Sequence, residues 1–234
     1  MKRYNPFSAL TRFEWILWSS SMVVVVLCFF LGSAMGWLSL VASLIGVTAL
    51  IFTARGEVIG QILIVVFAVL YGIISWQERY YGEMLTYLGM SAPIAMMAVI
   101  SWLRHPYRRG THTEVAVNRI TKGELGFLCL LTAAVTALFG FLLGILGTAQ
   151  LHFSILSVAT SFFAAYLCFR RSPFYALAYA TNDAVLIVLW VLASIGDLRN
   201  LSMVVCFLMF AVNDLYGFFN WLRMQKRQER EIGS

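Results

Sequence analysis

The chain has 234 residues, of which 61% are hydrophobic and only 12% charged, with 17 Lys and Arg against 11 Asp and Glu for a formal net charge of +6. Soluble globular domains run at about 45–50% apolar and about 25% charged residues. This composition therefore excludes a water-soluble fold, because too few charged side chains are present to cover so large an apolar mass. An integral membrane protein is left, whose basic balance marks a cytoplasmic face and needs no nucleic-acid partner.

A bilayer core about 30 Å thick requires roughly 17–25 apolar residues in a helix. Eight stretches qualify: Trp15–Met35, Trp37–Ala54, Val58–Trp76, Met84–Leu103, Leu125–Leu146, Leu151–Phe169, Phe174–Ile195 and Leu201–Trp221. None contains Lys, Arg or Glu. The first follows Lys2, Arg3 and Arg12 in the manner of a secretion signal. Its 21 residues exceed a signal core of about 7–15, and no small-x-small cleavage site follows, so it reads as a retained helix. With the amino terminus in the cytoplasm, every Lys and Arg except Arg79 and Arg199 falls on the cytoplasmic side. An error of one helix would scramble that alternation, so the charges support eight spans with both termini inside.

Cys28, Cys129, Cys168 and Cys206 all lie within spans and lack C-x-x-C spacing, so they read as small apolar residues rather than metal or redox groups. His105 and His112 fall in the basic loop, and His152 at an outer helix end. No metal or cofactor is called for.

The fourth and eighth spans end alike, in Ser101-Trp102-Leu103-Arg104 and Asn220-Trp221-Leu222-Arg223. The same offset of 119 residues also matches Met84 with Met203, Met90 with Met209 and Ala92 with Ala211. The second and sixth spans both end in basic turns, at Arg55 and at Arg170-Arg171, and the third and seventh carry Trp76 and Trp190 on the outer side. Helices two to four thus repeat as six to eight. The intervening helix makes the two triplets point the same way, a parallel repeat of the kind transporters use. Trp102 and Trp221, at helix ends, are expected as interfacial anchors.

Asp183 and Asp214 are the only acids within the predicted spans, each preceded by an asparagine, and both doublets fall near mid-membrane. Carboxylates at that depth face a cavity or a partner. Helical spacing aligns Tyr179, Asp183 and Trp190 on one helix, and Asn213, Tyr216, Gly217 and Asn220 on another. On the third span Gln61, Ala68, Gly72 and Ser75 form a small polar stripe flanked by Tyr71 and Trp76. The candidate substrate-binding set is therefore Gln61, Tyr71, Trp76, Asn182, Asp183, Trp190, Asn213, Asp214, Tyr216 and Asn220. The same residue types also serve as interhelical glue, and small residues allow close helix packing without any ligand. Carboxylates with Trp and Tyr suit a cation, and amides suit sugar hydroxyls. The lack of Lys and Arg in the spans argues against passage of a phosphate.

These residues resemble the PnuC family of bacterial nicotinamide riboside transporters, in Ile74-Ser75-Trp76, Tyr81-Gly82-Glu83-Met84, Asn182-Asp183 with Leu189-Trp190, and Asn213-Asp214-Leu215-Tyr216-Gly217-Phe218 with Asn220-Trp221. The resemblance runs from about Trp37 to Arg223 and leaves the first helix outside a seven-helix core. It implies an all-α SWEET-like fold of two parallel three-helix bundles, residues 37–104 and 151–223. A loop and linker helix at 105–150 would join them, with an extra helix at 1–36 and a basic tail at 224–234. It further implies facilitated diffusion of nicotinamide riboside across the inner membrane, trapping by a cytoplasmic kinase for NAD synthesis, and a homotrimer. Three alternatives stay open from the residues: another vitamin such as thiamine or riboflavin, proton coupling through Asp183 or Asp214, and an intramembrane aspartate-dependent enzyme. The Asp residues are followed by Ala184 and Leu215, without the Gly-x-Gly-Asp context of an aspartyl dyad.

Overall fold

The computed structural model describes residues 6–31, 37–77, 81–107, 114–148, 150–196 and 201–232. Lys2, Arg3, Arg79, Arg108, Arg109, His112 and Arg199 lie outside them. A short 3₁₀ turn, Pro6–Ala9, leads into α1 (Arg12–Leu31), α2 (Trp37–Ala54), α3 (Val58–Gln77), α4 (Tyr81–Thr86), α5 (Ala92–Arg104), α6 (Lys122–Ile145), α7 (Leu151–Phe169), α8 (Phe174–Gly196) and α9 (Leu201–Ile232). A π-helical turn, Tyr87–Ser91, joins α4 to α5, so Glu83–Arg104 crosses as one segment. Among the described residues, eight segments are long and apolar enough to span a membrane. Burial is inverted relative to a soluble protein. Leu130, Phe141 and Ile195 stand out on the surface, whereas Gln61, Asn182, Asp183, Asn213 and Asp214 are all buried.

Helices α2, α3 and α5 pack together, as do α7, α8 and α9, and the two groups meet along two seams, α2 against α9 and α5 against α7. Helix α6 packs on α7, and α1 packs on α2 and α9. Several helices start earlier than hydropathy places them, and charged residues enter their ends: Glu14 in α1, Glu83 in α4, and Lys122 and Glu124 in α6. The expectation of spans without glutamate is corrected accordingly.

The repeat extends to the helices that precede each bundle. Thr11 and Glu14 cap the start of α1 reciprocally, the Thr11 N–H donating to Glu14 Oε2 at 2.6 Å and the Glu14 N–H to Thr11 Oγ1 at 3.3 Å. At α6 the Thr121 hydroxyl oxygen accepts from the Glu124 N–H at 3.2 Å. Each glutamate then pairs with the arginine that ends the next helix, Glu14 with Arg55 at 2.9 Å and Glu124 with Arg170. The ends of α2 and α7 also match. Gly56 and Arg171 both take left-handed backbone, with φ of 70° and 59°. The residue after each closes a six-residue ring, Glu57 N to Phe52 O at 3.0 Å and Ser172 N to Leu167 O at 2.9 Å.

Beyond the membrane α9 continues as a helix through Ile232, so residues 224–232 are packed rather than a loose tail. Gln228 grips the strand-like connector between α5 and α6, accepting from Val117 N at 2.9 Å and donating to Glu114 Oε1 at 2.8 Å. Arg119 pairs with Glu229, and Arg227 with Glu114.

The two left-handed turn positions respond oppositely to substitution. A Cβ at Gly56 meets Met224 Cε at 3.0 Å and adds backbone strain, so Gly56→Ala should cost about 1–2 kcal/mol. At Arg171 the strain is already present, and its buried Nε and Nη1 have no partner. Burial, with the neighbouring Arg170 charge, pulls its pKa below the guanidinium range. Arg171→Gly should raise the unfolding midpoint in detergent, while Gly56→Ala lowers it.

Candidate functional site

Helices α8 and α9 lie side by side and bring the two Asn-Asp doublets to one depth. Asp183 and Asp214 are both buried there. Asp183 Oδ2 has no partner. Asn182 turns to α7, where its Oδ1 accepts from Thr160 Oγ1 at 2.8 Å and Ser157 Oγ at 3.2 Å.

Asn213 faces α1. Its Nδ2 donates to Met209 O at 2.8 Å and to Ser21 Oγ at 3.0 Å. Ser21 has already spent its proton on Leu17 O at 2.8 Å, so its oxygen can only accept. Both partners therefore demand the amide nitrogen, which fixes the amide orientation and leaves Asn213 Oδ1 buried without a partner. The polar centre thus offers two unmet acceptors, Asp183 Oδ2 and Asn213 Oδ1, to a molecule that brings donors.

Above this centre, toward the face opposite the termini, a cavity of about 70 Å³ lies between α3, α4, the π turn and α6 to α9. Tyr71, Tyr87, Trp190 and Phe207 give it aromatic walls, and Thr86, Ser91, Ser154, Ser157 and Ser161 line it with hydroxyls. Its one acid is Glu83, whose carboxylate accepts from Tyr71 O–H at 2.9 Å. Small-molecule pockets typically measure about 300–1,000 Å³, so this cavity must widen to admit a solute. Larger clefts, of about 940 and 820 Å³, lie beside α6 to α8 and between α1 and α9; the second is lined by Glu14, Arg55, Tyr216, Asn220, Arg223 and Arg227 at the basic end of the molecule.

On the basic face the interior is shut. Trp102 Nε1 donates to Cys168 O at 3.0 Å and Trp221 Nε1 to Thr53 O at 2.9 Å, while the two indoles pack with centroids 5.5 Å apart. Beside them Ser101 Oγ donates to Phe169 O at 3.0 Å and Asn220 Nδ2 to Ala54 O at 2.9 Å. Every one of these bonds crosses between the two bundles, and each is the repeat-mate of another. Both tryptophans are 0% exposed. The expectation of interfacial anchors is corrected: their N–H groups are needed inside, on the carbonyls that a helix end leaves without partners. Gln61 adds a further bridge, from Nε2 to Thr53 Oγ1 and Cys168 Sγ, both at 3.3 Å.

The predicted residues thus divide by depth. Tyr71 and Trp190 line the cavity, Asn182, Asp183, Asn213 and Asp214 form the centre, and Gln61 and Asn220 belong to the closure. Tyr216 donates to Glu14 Oε1 at 2.7 Å on α1, and Trp76 is 63% exposed, outside the cavity. Glu83, Tyr87, Ser21 and Glu14 were missed. Glu83 stands one residue before its predicted span, and Glu14 one residue before the first. The four-helix repeat was signalled by Thr11-x-x-Glu14 and Thr121-x-x-Glu124.

Residues 36–223 match the family described as nicotinamide mononucleotide transporter. The chain belongs to this family. Among curated relatives, "Nicotinamide riboside transporter PnuC" of Neisseria mucosa is 24% identical over 94% of this chain and 85% of its own length. The protein of the same name from Haemophilus influenzae is 19% identical over 91% of both. A solved structure described as "Crystal structure of the Vitamin B3 transporter PnuC" superposes with a TM-score of 0.79 at 22% identity, covering 94% of each chain. Membership makes the protein a multi-pass transporter rather than an enzyme, and the intramembrane aspartyl enzyme is set aside. The family match begins after α1, yet α1 supplies Ser21 and Glu14 to residues of the candidate set.

Trp221→Phe keeps an aromatic ring and deletes one N–H. It should cost about 1–3 kcal/mol by leaving the Thr53 carbonyl buried and unmet. Trp102→Phe should cost a similar amount at Cys168, while Trp76→Phe, at an exposed position, should leave the thermal midpoint unchanged.

Proposed function

We propose that this protein carries nicotinamide riboside down its electrochemical gradient across the bacterial inner membrane, with its basic face and both termini in the cytoplasm. The observation that carries this reading is the polarity of the centre. Its unmet groups are acceptors, Asp183 Oδ2 and Asn213 Oδ1, and no Lys or Arg lies in any predicted span. Nicotinamide riboside is an aromatic cation with hydroxyl and amide donors and no phosphate, so it answers each feature. The family description speaks of the mononucleotide and the relatives' names of the riboside. The missing cation favours the riboside, because a phosphate would lose its hydration with nothing to replace it. Phosphorylation by a cytoplasmic kinase would trap the arriving nucleoside for NAD synthesis, and a homotrimer is the expected assembly.

The two buried carboxyls Asp183 and Asp214 support a second reading, uptake of substrate coupled to entry of a proton. It is unnecessary for uptake: one positive charge gains about 2.3 kcal/mol per 100 mV on entering a negative-inside cell, roughly fiftyfold accumulation.

Calorimetry on purified protein should show binding of nicotinamide riboside and at least tenfold weaker binding of its mononucleotide; equal affinities would refute the polarity argument. Asp183→Ala and Asn213→Ala should each weaken riboside binding roughly ten- to hundredfold, from a loss of about 1–3 kcal/mol. Cys206→Ala serves as a neutral control. In proteoliposomes an imposed negative-inside potential should accelerate net entry, and a proton gradient at zero potential should drive no accumulation. Uphill uptake under the proton gradient alone would rule out the uniporter and favour the symporter.

A further inference from the structure

We propose that Glu83, rather than either aspartate, is the counter-ion for the substrate's positive ring, and that the cavity it lines is where the cation is selected. This assignment rests on the riboside reading above and names the residue that reads the charge. The two aspartates are buried on the adjacent helices α8 and α9, and neither is among the residues that line the cavity. Glu83 stands alone. Among the described residues its carboxylate accepts from Tyr71 O–H at 2.9 Å, a single bond that leaves lone pairs free for a ligand. Among the described residues that line the cavity there is no Lys or Arg.

The walls suit the same ligand. Tyr71 and Tyr87 pack with ring centroids 4.4 Å apart, and Trp190 faces the same space. Aromatic faces attract a cation, most strongly where water is excluded. A planar pyridinium can therefore stack on a ring while its charge lies near the carboxylate, and a neutral ring of the same shape gains only the stacking. The cavity can also open. Tyr87 and Ser91 come from the π-helical turn Tyr87–Ser91, and such turns are irregularities concentrated at functional sites. Returning that turn to α-helix would rotate the preceding segment, which carries Glu83, relative to α5.

The test compares nicotinamide riboside with its 1,4-dihydro form, whose ring is uncharged and whose hydroxyls and amide are the same. In the wild-type chain the cationic form should bind at least tenfold tighter. Glu83→Gln keeps the acceptor for Tyr71 and removes the charge. It should lower affinity for the cation at least tenfold and leave the dihydro form within about twofold, so that the preference collapses. Glu83→Asp should restore part of it. Asp183→Asn should weaken both ligands together and preserve their ratio. An unchanged ratio in Glu83→Gln, or equal loss of both ligands, would overturn the assignment, the second result marking Glu83 as structural. A collapsed ratio in Asp183→Asn would overturn it in favour of the aspartate. Failure of the wild-type chain to bind either form would instead refute the riboside reading, and this assignment with it.

Discussion

A helix ending inside a membrane protein leaves carbonyls that no water can reach, and those groups must find donors elsewhere in the chain. At the basic face this requirement is met across the molecule. Helix α2 ends under Trp221 and Asn220 of the second bundle, and α7 ends under Trp102 and Ser101 of the first. The two bundles therefore complete each other's helix termini, and neither is satisfied alone. The closure, the depth of the polar centre beneath the cavity, and the position of Gln61 all follow from that reciprocity. It also supplies the latch that a transporter needs. Among the described residues the side-chain bonds of Trp102, Trp221, Ser101, Asn220 and Gln61 cross the seam, each worth about 0.5–1.5 kcal/mol net, so opening is affordable when a ligand or water takes over the acceptors.

The interior is selective by what it lacks. Amides can present a donor or an acceptor, and a single serine on α1 decides for Asn213, because Ser21 has no proton left to give. The first helix thus belongs to the chemistry of the centre even though it lies beyond the family match. Carboxyls and hydroxyls complete an environment that favours donors and positive charge and rejects anions.

Much of this was legible in the residues. The Asn-Asp doublets announced the centre because carboxyls are rare at mid-membrane, and the Trp-Leu-Arg endings announced the repeat. The function of those endings was not legible. A tryptophan at the end of a hydropathy window has the same signature whether it faces lipid or a neighbouring helix, and only the packing of α2 on α9 decides between them. Glu83 and Glu14 escaped for a related reason: windows of apolar residues stop at the first charge, whereas capping and the membrane's polar margin let a helix begin earlier. The pairing of α1 with α6 was written in two Thr-x-x-Glu sequences, but reading it required seeing Arg55 and Arg170 meet the two glutamates. Trp76 and Trp190 looked equivalent in sequence, yet one is exposed and the other lines the cavity.

Helix α9 reaches well past the membrane in one unbroken piece, and its far end holds the connector through Gln228. Mechanically it is a lever whose load arm is the extramembrane stretch. Ile232 lies about 28 Å beyond Asn213 at 1.5 Å per residue, so a swing of roughly 10° at the polar centre carries that tip through about 5 Å. The connector links the two halves of the chain, so the displacement is delivered to the base of α5 and α6 as traction. Events at the buried amide and motion of the opposite bundle are thereby geared together outside the lipid.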